Sequence, residues 1–287
     1  MELTHIACRE GRLSTFLRTE LKMSTGLMNK LKWGDAIRVN DTPQRTNYPV
    51  KVGDVITVRL EEESPEYPAE EGPLTVLYED DHILVVDKPA GMLIHPSRAR
   101  NTGTLANLVA GYYRKTGQKS AFHPMTRLDR DTFGIVLLAK NAHVHRALQL
   151  CPVKKTYHAL VFGGPEEDGG TIDAPIARQP LPSLLRCVAP EGKESLTQYR
   201  VLARYGSYSK LALEPITGRT HQLRLHCAHM GFPILGDPQY GTEASQAFSA
   251  ARGLPHQMLC AKALDFVHPM TGEKLHLESQ MNTQLGG

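Results

Sequence analysis

The sequence predicts an α+β protein in two domains, and three observations carry that reading. Apolar residues recur at helical spacing near the start and give way to short strands within residues 1–62. An acidic stretch broken by two prolines follows, Glu61-Glu-Glu-Ser-Pro-Glu-Tyr-Pro-Ala-Glu-Glu71. From Leu74 onward, period-two and helical patterns alternate to the end of the chain. The expected division is a small module at 1–62, a linker at 63–73 and a large domain at 74–287.

Composition narrows the function classes. Of 287 residues, 41% are apolar, enough for a substantial core, and the net charge of +3 does not by itself point to nucleic acid. Its distribution says more. Arg98–Arg130 holds seven Lys/Arg against one acid, and Gln198–Met230 holds five against one. Two basic stretches in a nearly neutral chain fit a directed phosphate-binding surface, or else scattered solubilising charge. The five cysteines, at 8, 151, 187, 227 and 260, form no Cys-x-x-Cys pair, which argues against a zinc site and a disulfide framework. There is no apolar run of membrane-spanning length and no signal-peptide pattern, so a reduced, cytoplasmic setting is expected.

In the first module, Leu13, Phe16, Leu17 and Leu21 make one face of a helix. Ser24 is placed to cap a second helix that turns Leu27, Met28 and Leu31 inward, and Gly34 is expected to end it in the left-handed conformation. Ala36–Val39 and Val55–Leu60 read as strands, with a turn at Asn40-Asp41. The linker's like charges and prolines cannot make a core, so the module is expected to move separately.

Beyond the linker, Leu74–Tyr78 and Ile83–Val86 read as strands, and Lys88–Pro96 as a turn-rich loop. Thr104–Arg114 reads as a helix with Leu105, Leu108 and Val109 inward. Lys155–Phe162 and Gln198–Ala203 alternate as strands. The most unusual stretch is Arg127-Leu-Asp-Arg-Asp-Thr132, which runs into the apolar strand Gly134–Ala139. Carboxylates beside a buried strand are costly unless paired or hydrogen-bonded. If the stretch is extended, residues 127, 129 and 131 share a face and hold Asp129 between Arg127 and Asp131 at the strand's mouth. From spacing alone, an exposed charged turn reads equally well.

His123-Pro-Met-Thr-Arg127-Leu-Asp129-Arg-Asp-Thr132-Phe-Gly134 resembles the Arg-Leu-Asp signature of the RluA-type pseudouridine synthases. Thr126 and Phe133 stand where that family has His and Ser. Lys88-Pro-Ala-Gly-Met-Leu-Ile-His95-Pro96, Lys155-Thr-Tyr157 and Thr217-Gly-Arg-Thr-His-Gln-Leu-Arg-Leu-His226 match further elements in order, as do Gly236–Gly241 and His268–Gly272. Cys260 replaces a usual His. The resemblance spans about residues 74–280. Within 12–60, the order helix, helix, Gly34-Asp-Ala-Ile-Arg-Val-Asn40, Val52-Gly-Asp-Val-Ile-Thr-Val58 resembles the S-four RNA-binding domain.

The resemblance implies a bent, largely antiparallel mixed sheet with flanking helices, and an isomerase that converts uridine in RNA to pseudouridine without a cofactor. It implies Asp129 as nucleophile or base, Tyr157 stacked on the uracil and helping the final deprotonation, and Arg219 as the ion-pair partner of Asp129. Arg127 would fill the space of the displaced base, and Lys155, His221, Gln222 and Arg224 would contact RNA. In the module, Lys22, Lys30, Lys32 and Arg38 would meet phosphates; a docking module without RNA affinity is the alternative. Thr217 or Thr220 is expected to cap a helix, with Gly218 allowing a close approach before it. His221, Cys227, His226 and His229 do not make a metal site, since residues five apart split across a helix. Ribosomal RNA is the expected partner, transfer RNA the next, and the chain is expected to be monomeric and not membrane-bound. A non-catalytic RNA-binding or ribosome-assembly factor on the same fold is the rival, with a carboxylate-dependent hydrolase third.

Overall fold

The computed structural model describes residues 2–61, 66–97, 100–180, 183 and 185–283. Its first part runs β1 (Glu2–Ile6), β2 (Gly11–Arg12), α1 (Leu13–Thr19), α2 (Thr25–Leu31), β3 (Ile37–Val39), β4 (Thr42–Pro43), β5 (Pro49–Val50) and β6 (Val55–Arg59). Ser24 caps α2 by accepting from the Leu27 amide. Asn40 and Asp41 both take positive φ, the tight-turn geometry that joins β3 to β4. Strands β1, β6, β3 and β4 form an antiparallel sheet. Phe16, Leu17, Met28, Ile37, Ile56 and Val58 belong to its core. The glycine cap expected at Gly34 is not formed. α2 stops at Leu31, Lys32 is already bonded back to Met28, and Gly34 stays outside the left-handed region.

Residues 63–65 of the expected linker lie outside the described residues, and the rest is not a free tether. Tyr67 packs on the core of the larger domain. The Glu70 amide donates to Asn107 O at 3.0 Å, Asn107 Nδ2 donates to Pro68 O at 2.9 Å, and the Gly103 amide donates to the Glu70 carboxylate at 2.8 Å. Gly111 makes room for this docking, since a Cβ there would lie 1.9 Å from Glu70 O. Charge and proline content hid these backbone bonds, and the larger core begins at Tyr67 rather than Leu74.

That domain continues β7 (Thr75–Glu79), β8 (Ile83–Lys88), α3 (Leu105–Lys115), β9 (His123–Pro124), β10 (Phe133–Ala139), α4 (Ala142–Gln149), β11 (Val153–Phe162), β12 (Gly169–Asp173), β13 (Ile176–Arg178) and β14 (Arg186–Val188). It ends with β15 (Leu196–Arg204), β16 (Tyr208–Pro215), α5 (Gln222–His229), α6 (Glu243–Ala251), β17 (Leu259–Val267) and β18 (Lys274–Glu278). The main sheet has the order β12-β15-β16-β11-β17-β10-β8-β7, with β18 beside β17 and β9 beside β10. Its described pairs are antiparallel except β10 with β17, so the sheet is mixed as expected. The continuous apolar run of β10 reflects burial on both faces. Val136 and Leu138 pack with α3, while Ile135 and Leu137 pack with α4.

The two halves of the sheet meet at two parallel pairs, Phe133 with Cys260 and Gly134 with Ala261. Farther along, the same edge of β17 pairs with β18. Ala261 also faces Tyr157, and Gly134 also faces Lys88. One row across the sheet therefore reads Tyr157, Ala261, Gly134, Lys88. Gly134 has φ +107°, and a Cβ there would lie 2.3 Å from Ala261 O. Gly117, with φ +70°, has open space around it. Gly117→Ala should cost about 1 kcal/mol, the left-handed penalty alone. Gly134→Ala should cost at least about 3 kcal/mol, because strain and a backbone clash combine. Urea denaturation of both variants checks this; equal losses would show that the strand junction yields to the extra carbon.

Candidate active site

The Arg127–Thr132 stretch is a turn, not an extended segment. The Thr132 amide donates to Asp129 O at 3.2 Å, and Gln257 Nε2 donates to Thr132 Oγ1 at 2.6 Å. Asp131 accordingly does not flank Asp129. Its two oxygens take the Arg130 guanidinium at 3.0 and 2.8 Å, which holds its carboxyl below the usual range. Under the turn, fully buried Lys88 donates to the carbonyls of Pro89, Met92 and Arg130 at 2.9, 2.9 and 3.0 Å. Burial pulls its amine down to about 8, against the nearby charges of Asp131 and Asp129.

Asp129 lies half-buried in a cleft of about 570 Å³. Arg127, Lys155, Tyr157, Arg219, His221, Gln222 and Arg224 all line it, so the fold brings these expected residues together. Lys155 and Tyr157 share the cleft side of β11, as the strand period requires. Lys22, Lys30, Lys32 and Arg38 lie on the first module, outside this lining.

Roles within the cleft differ from the expectation at several positions. Arg219 does not pair with Asp129: it is exposed, and its Nε donates to Glu194 O at 3.1 Å. The partner is Arg224, whose Nη1 donates to Asp129 Oδ2 at 3.2 Å. Arg224 also grips Asp237 through Nε and Nη2, both at 2.7 Å, and reaches Gln239 Oε1 at 2.8 Å. Burial works against its charge, but the bonds and charges of Asp237 and Asp129 outweigh that and raise its pKa. With its guanidinium committed to these three side chains, Arg224 is not an RNA contact.

The exchange of roles follows from the backbone. Neither Thr217 nor Thr220 caps α5. The N-cap is His221 at φ 58°, which turns the chain so that residues 222–227 are all buried. Gly218 has open space where a Cβ would be, so no close approach requires it. Gln222 is also inward: its oxygen accepts from Thr217 Oγ1 and the Arg219 amide, and its nitrogen donates to Leu196 O and Thr197 Oγ1. It pins the loop to β15 and has no polar capacity left for RNA. His226 is likewise internal, bonded to Thr197 and Ala174. Among the described residues no group of three His, Cys, Asp or Glu is arranged for a metal ion.

His221 Nε2 lies 3.9 Å from Asp129 Oδ2, and burial lowers its pKa, so the ring is neutral near pH 7. The Tyr240 hydroxyl accepts from the Arg186 amide at 3.1 Å and lies within hydrogen-bond distance of His221 Nδ1 at 2.8 Å, which orients the ring toward Asp129. Tyr240 also lies beneath Arg224, with the guanidinium carbon 5.1 Å from the ring centre. Tyr157 is 9% exposed, and burial followed by the Asp129 charge raises its pKa. Its phenol is therefore held protonated near pH 7. Asp237, Gln239 and Tyr240 were legible only as a matched motif; no sequence pattern ties Asp237 to Arg224.

The RNA pseudouridylate synthase family matches residues 82–229. The chain is 35% identical over 269 residues to the RNA pseudouridine synthase YjbO of Bacillus subtilis, covering 91% of this chain and 93% of that protein. It is 36% identical over 267 residues to ribosomal large subunit pseudouridine synthase D of Xanthomonas campestris, covering 89% and 80%. It superposes on human RNA pseudouridylate synthase domain containing 1 with TM-score 0.59 and 26% identity, over 76% of this chain and 93% of that one. The mixed sheet and its cleft are thus those of a pseudouridine synthase. The chain belongs to the RNA pseudouridylate synthase family, in its RluA type, and is an isomerase of uridine in RNA. Among the described residues no helix is long and apolar enough to cross a membrane.

Arg224 and Arg219 separate cleanly by substitution. Arg224→Met leaves Asp129 and Asp237 without their shared cation and should cost about 3–5 kcal/mol. Arg219→Met removes an exposed side chain and should change stability by no more than about 0.5 kcal/mol. Urea denaturation compares them, and similar losses would contradict the assignment of the buried pair to Arg224.

Proposed function

We propose that Asp129 is the reacting carboxylate, that Arg224 and His221 hold it, and that the uracil lies against Tyr157. The observation that carries this is the asymmetry of the carboxylate. Oδ2 is taken by Arg224, while among the described residues no hydrogen bond reaches Oδ1, which is left for the reaction. The glycosidic bond to nitrogen breaks, the uracil turns, and carbon 5 rejoins the ribose. A fixed carboxylate serves this as nucleophile or as base. Arg127 is exposed at the rim, and among the described residues no hydrogen bond or ion pair holds its side chain. It is therefore available to occupy the space of the displaced base, at a cost of a few kcal/mol of lost stacking. Asp129→Asn should lower pseudouridine formation at least about a hundredfold while RNA affinity changes little. Nucleoside mass spectrometry alongside filter binding measures both, and turnover near the parent rate would sink the assignment.

The substrate we propose is ribosomal RNA, supported by the name of the Xanthomonas campestris relative. RNA from cells lacking the protein should miss pseudouridine in the large ribosomal subunit. A loss confined to transfer RNA would replace this reading.

We further infer that the first module is an S-four-like RNA-binding domain. Its best contact is Trp33, 73% exposed, with Arg45 4.6 Å and Lys32 5.3 Å from the ring centre. An exposed indole among cations suits a base and its phosphate. Of the expected phosphate contacts, Lys32 belongs to this patch. Lys30 is paired with Glu61 at 2.7 Å, and Arg38 is bonded to the carbonyls of Asp35 and Asp41. The Lys22 charge acts on His143. Removing residues 1–61 should weaken RNA binding and flatten its salt dependence, by roughly 0.7–0.9 log units for each phosphate the module neutralises. Affinity measured against salt for the full and shortened chains decides it, and identical slopes would favour a docking role.

A further inference from the structure

A second cavity, of about 320 Å³, adjoins the catalytic cleft, and Arg127 lines both. Its remaining walls converge from separate parts of the chain. Tyr67 comes from the docked segment before β7, His95 from the loop after β8, Phe122 from the approach to β9, His123 from β9 itself, and His145 from α4. The rings are ordered against one another. Phe122 meets the edges or faces of Tyr67 at 5.9 Å and His95 at 5.3 Å, near perpendicular, and His123 stacks on His145 at 5.5 Å. The Tyr67 hydroxyl and His95 Nδ1 are 3.2 Å apart.

The space is a half-open pocket that a flat ring can enter from solvent. The volume is at the lower end for a ligand pocket, suited to one ring system rather than a helix or a peptide. Its chemistry also discriminates. Burial, then the Arg127 charge, lowers the pKa of His95; burial, then His123, lowers that of His145. Both rings are neutral near pH 7, and Glu66 sits at the rim, so an anion gains little here beyond Arg127. Neutral flat rings with polar edges are instead the surfaces on which proteins hold unstacked bases of single-stranded RNA.

We propose that this cavity is a second base pocket, which takes an unstacked nucleotide neighbouring the target uridine on the same RNA strand. Arg127 then stands between two extracted bases, its guanidinium filling the gap they leave. This rests on the functional reading above, since it needs the uridine in the Asp129 cleft. It also gives the docked linker segment a purpose, because Tyr67 is a wall of the pocket.

The probe is a transcript of large-subunit ribosomal RNA substituted with 4-thiouridine and cross-linked by light to the full-length protein. Peptides carrying Tyr67, Phe122 or His145 should be attached to a nucleotide within a few positions of the one attached near Tyr157. His145→Ala should weaken binding of the same transcript about tenfold, the loss of one stacked base, and His145→Phe should restore it. Should His145→Ala fail to fold, Tyr67→Leu, which keeps an apolar contact for Phe122 while removing the ring, takes its place. Pseudouridine formation with no cross-link on those peptides, or His145→Ala binding at parent affinity, overturns this proposal alone. Absence of both binding and turnover on the transcript overturns the functional reading and this one with it.

Discussion

The register between Gly134 and Ala261 is the constraint on which the site depends. Two parallel pairs join the halves of the main sheet, and they do so where β10 begins, directly after the Asp129 turn. A side chain at 134 would strike Ala261 O. With only hydrogen there, β10 comes close enough to β17 for Tyr157, across Ala261, to share a cleft with Asp129. The sheet continues on both sides, so the junction is held within a continuous sheet. A cleft formed this way is as rigid as the sheet itself, which suits a reaction that needs a base held while it turns.

Charge is balanced around one guanidinium. Arg224 lies between Asp129, which faces the cleft, and Asp237, which is 1% exposed at its side chain. Two carboxylates near one buried cation would each be costly alone, and together they keep the cation fully bonded. Asp237 takes two of the bonds and Asp129 only one, so the buried acid fixes Arg224 and Arg224 fixes Asp129. Gln222, the first residue of α5, completes the support by tying the preceding loop to β15.

The sequence made the chemistry legible more than the geometry. Asp129, Tyr157 and the Thr217–His226 motif stood out because charged and aromatic groups were placed against strands, and their order resembled a known family. Strands β7, β8, β10, β11 and β15 and helix α3 followed from apolar patterning, whereas β12, β16, β17 and β18 of the same sheet did not; the Thr104 cap observed on α3 agrees with its reading. The choice between Arg219 and Arg224 was not legible. It turns on the positive φ of His221, which sets the phase of α5, and nothing in the residue type forces a histidine into that conformation. Asp237 was hidden for another reason, since its importance lies in a bond across thirteen residues that only the folded loop creates. The docked half of the linker was missed because composition counts side chains, whereas Glu70 and Pro68 bind α3 mainly through their backbone.

The same principle explains why Lys88, marked in the sequence only as part of a motif, matters to the site. It shares the sheet row of Gly134 and Tyr157, and its ammonium is fully buried. Among the described residues no carboxylate is bonded to it; three carbonyls are, one of them Arg130 O in the Asp129 turn. A neutral side chain of similar length could fill the volume but not collect three acceptors from two loops. Desolvation lowers its pKa to about 8, which still leaves it mostly charged near pH 7. The charge that burial makes expensive is therefore the feature that anchors the turn from below, while Arg224 anchors it from the side. Between the two cations Asp129 is fixed in position in the lining of the cleft.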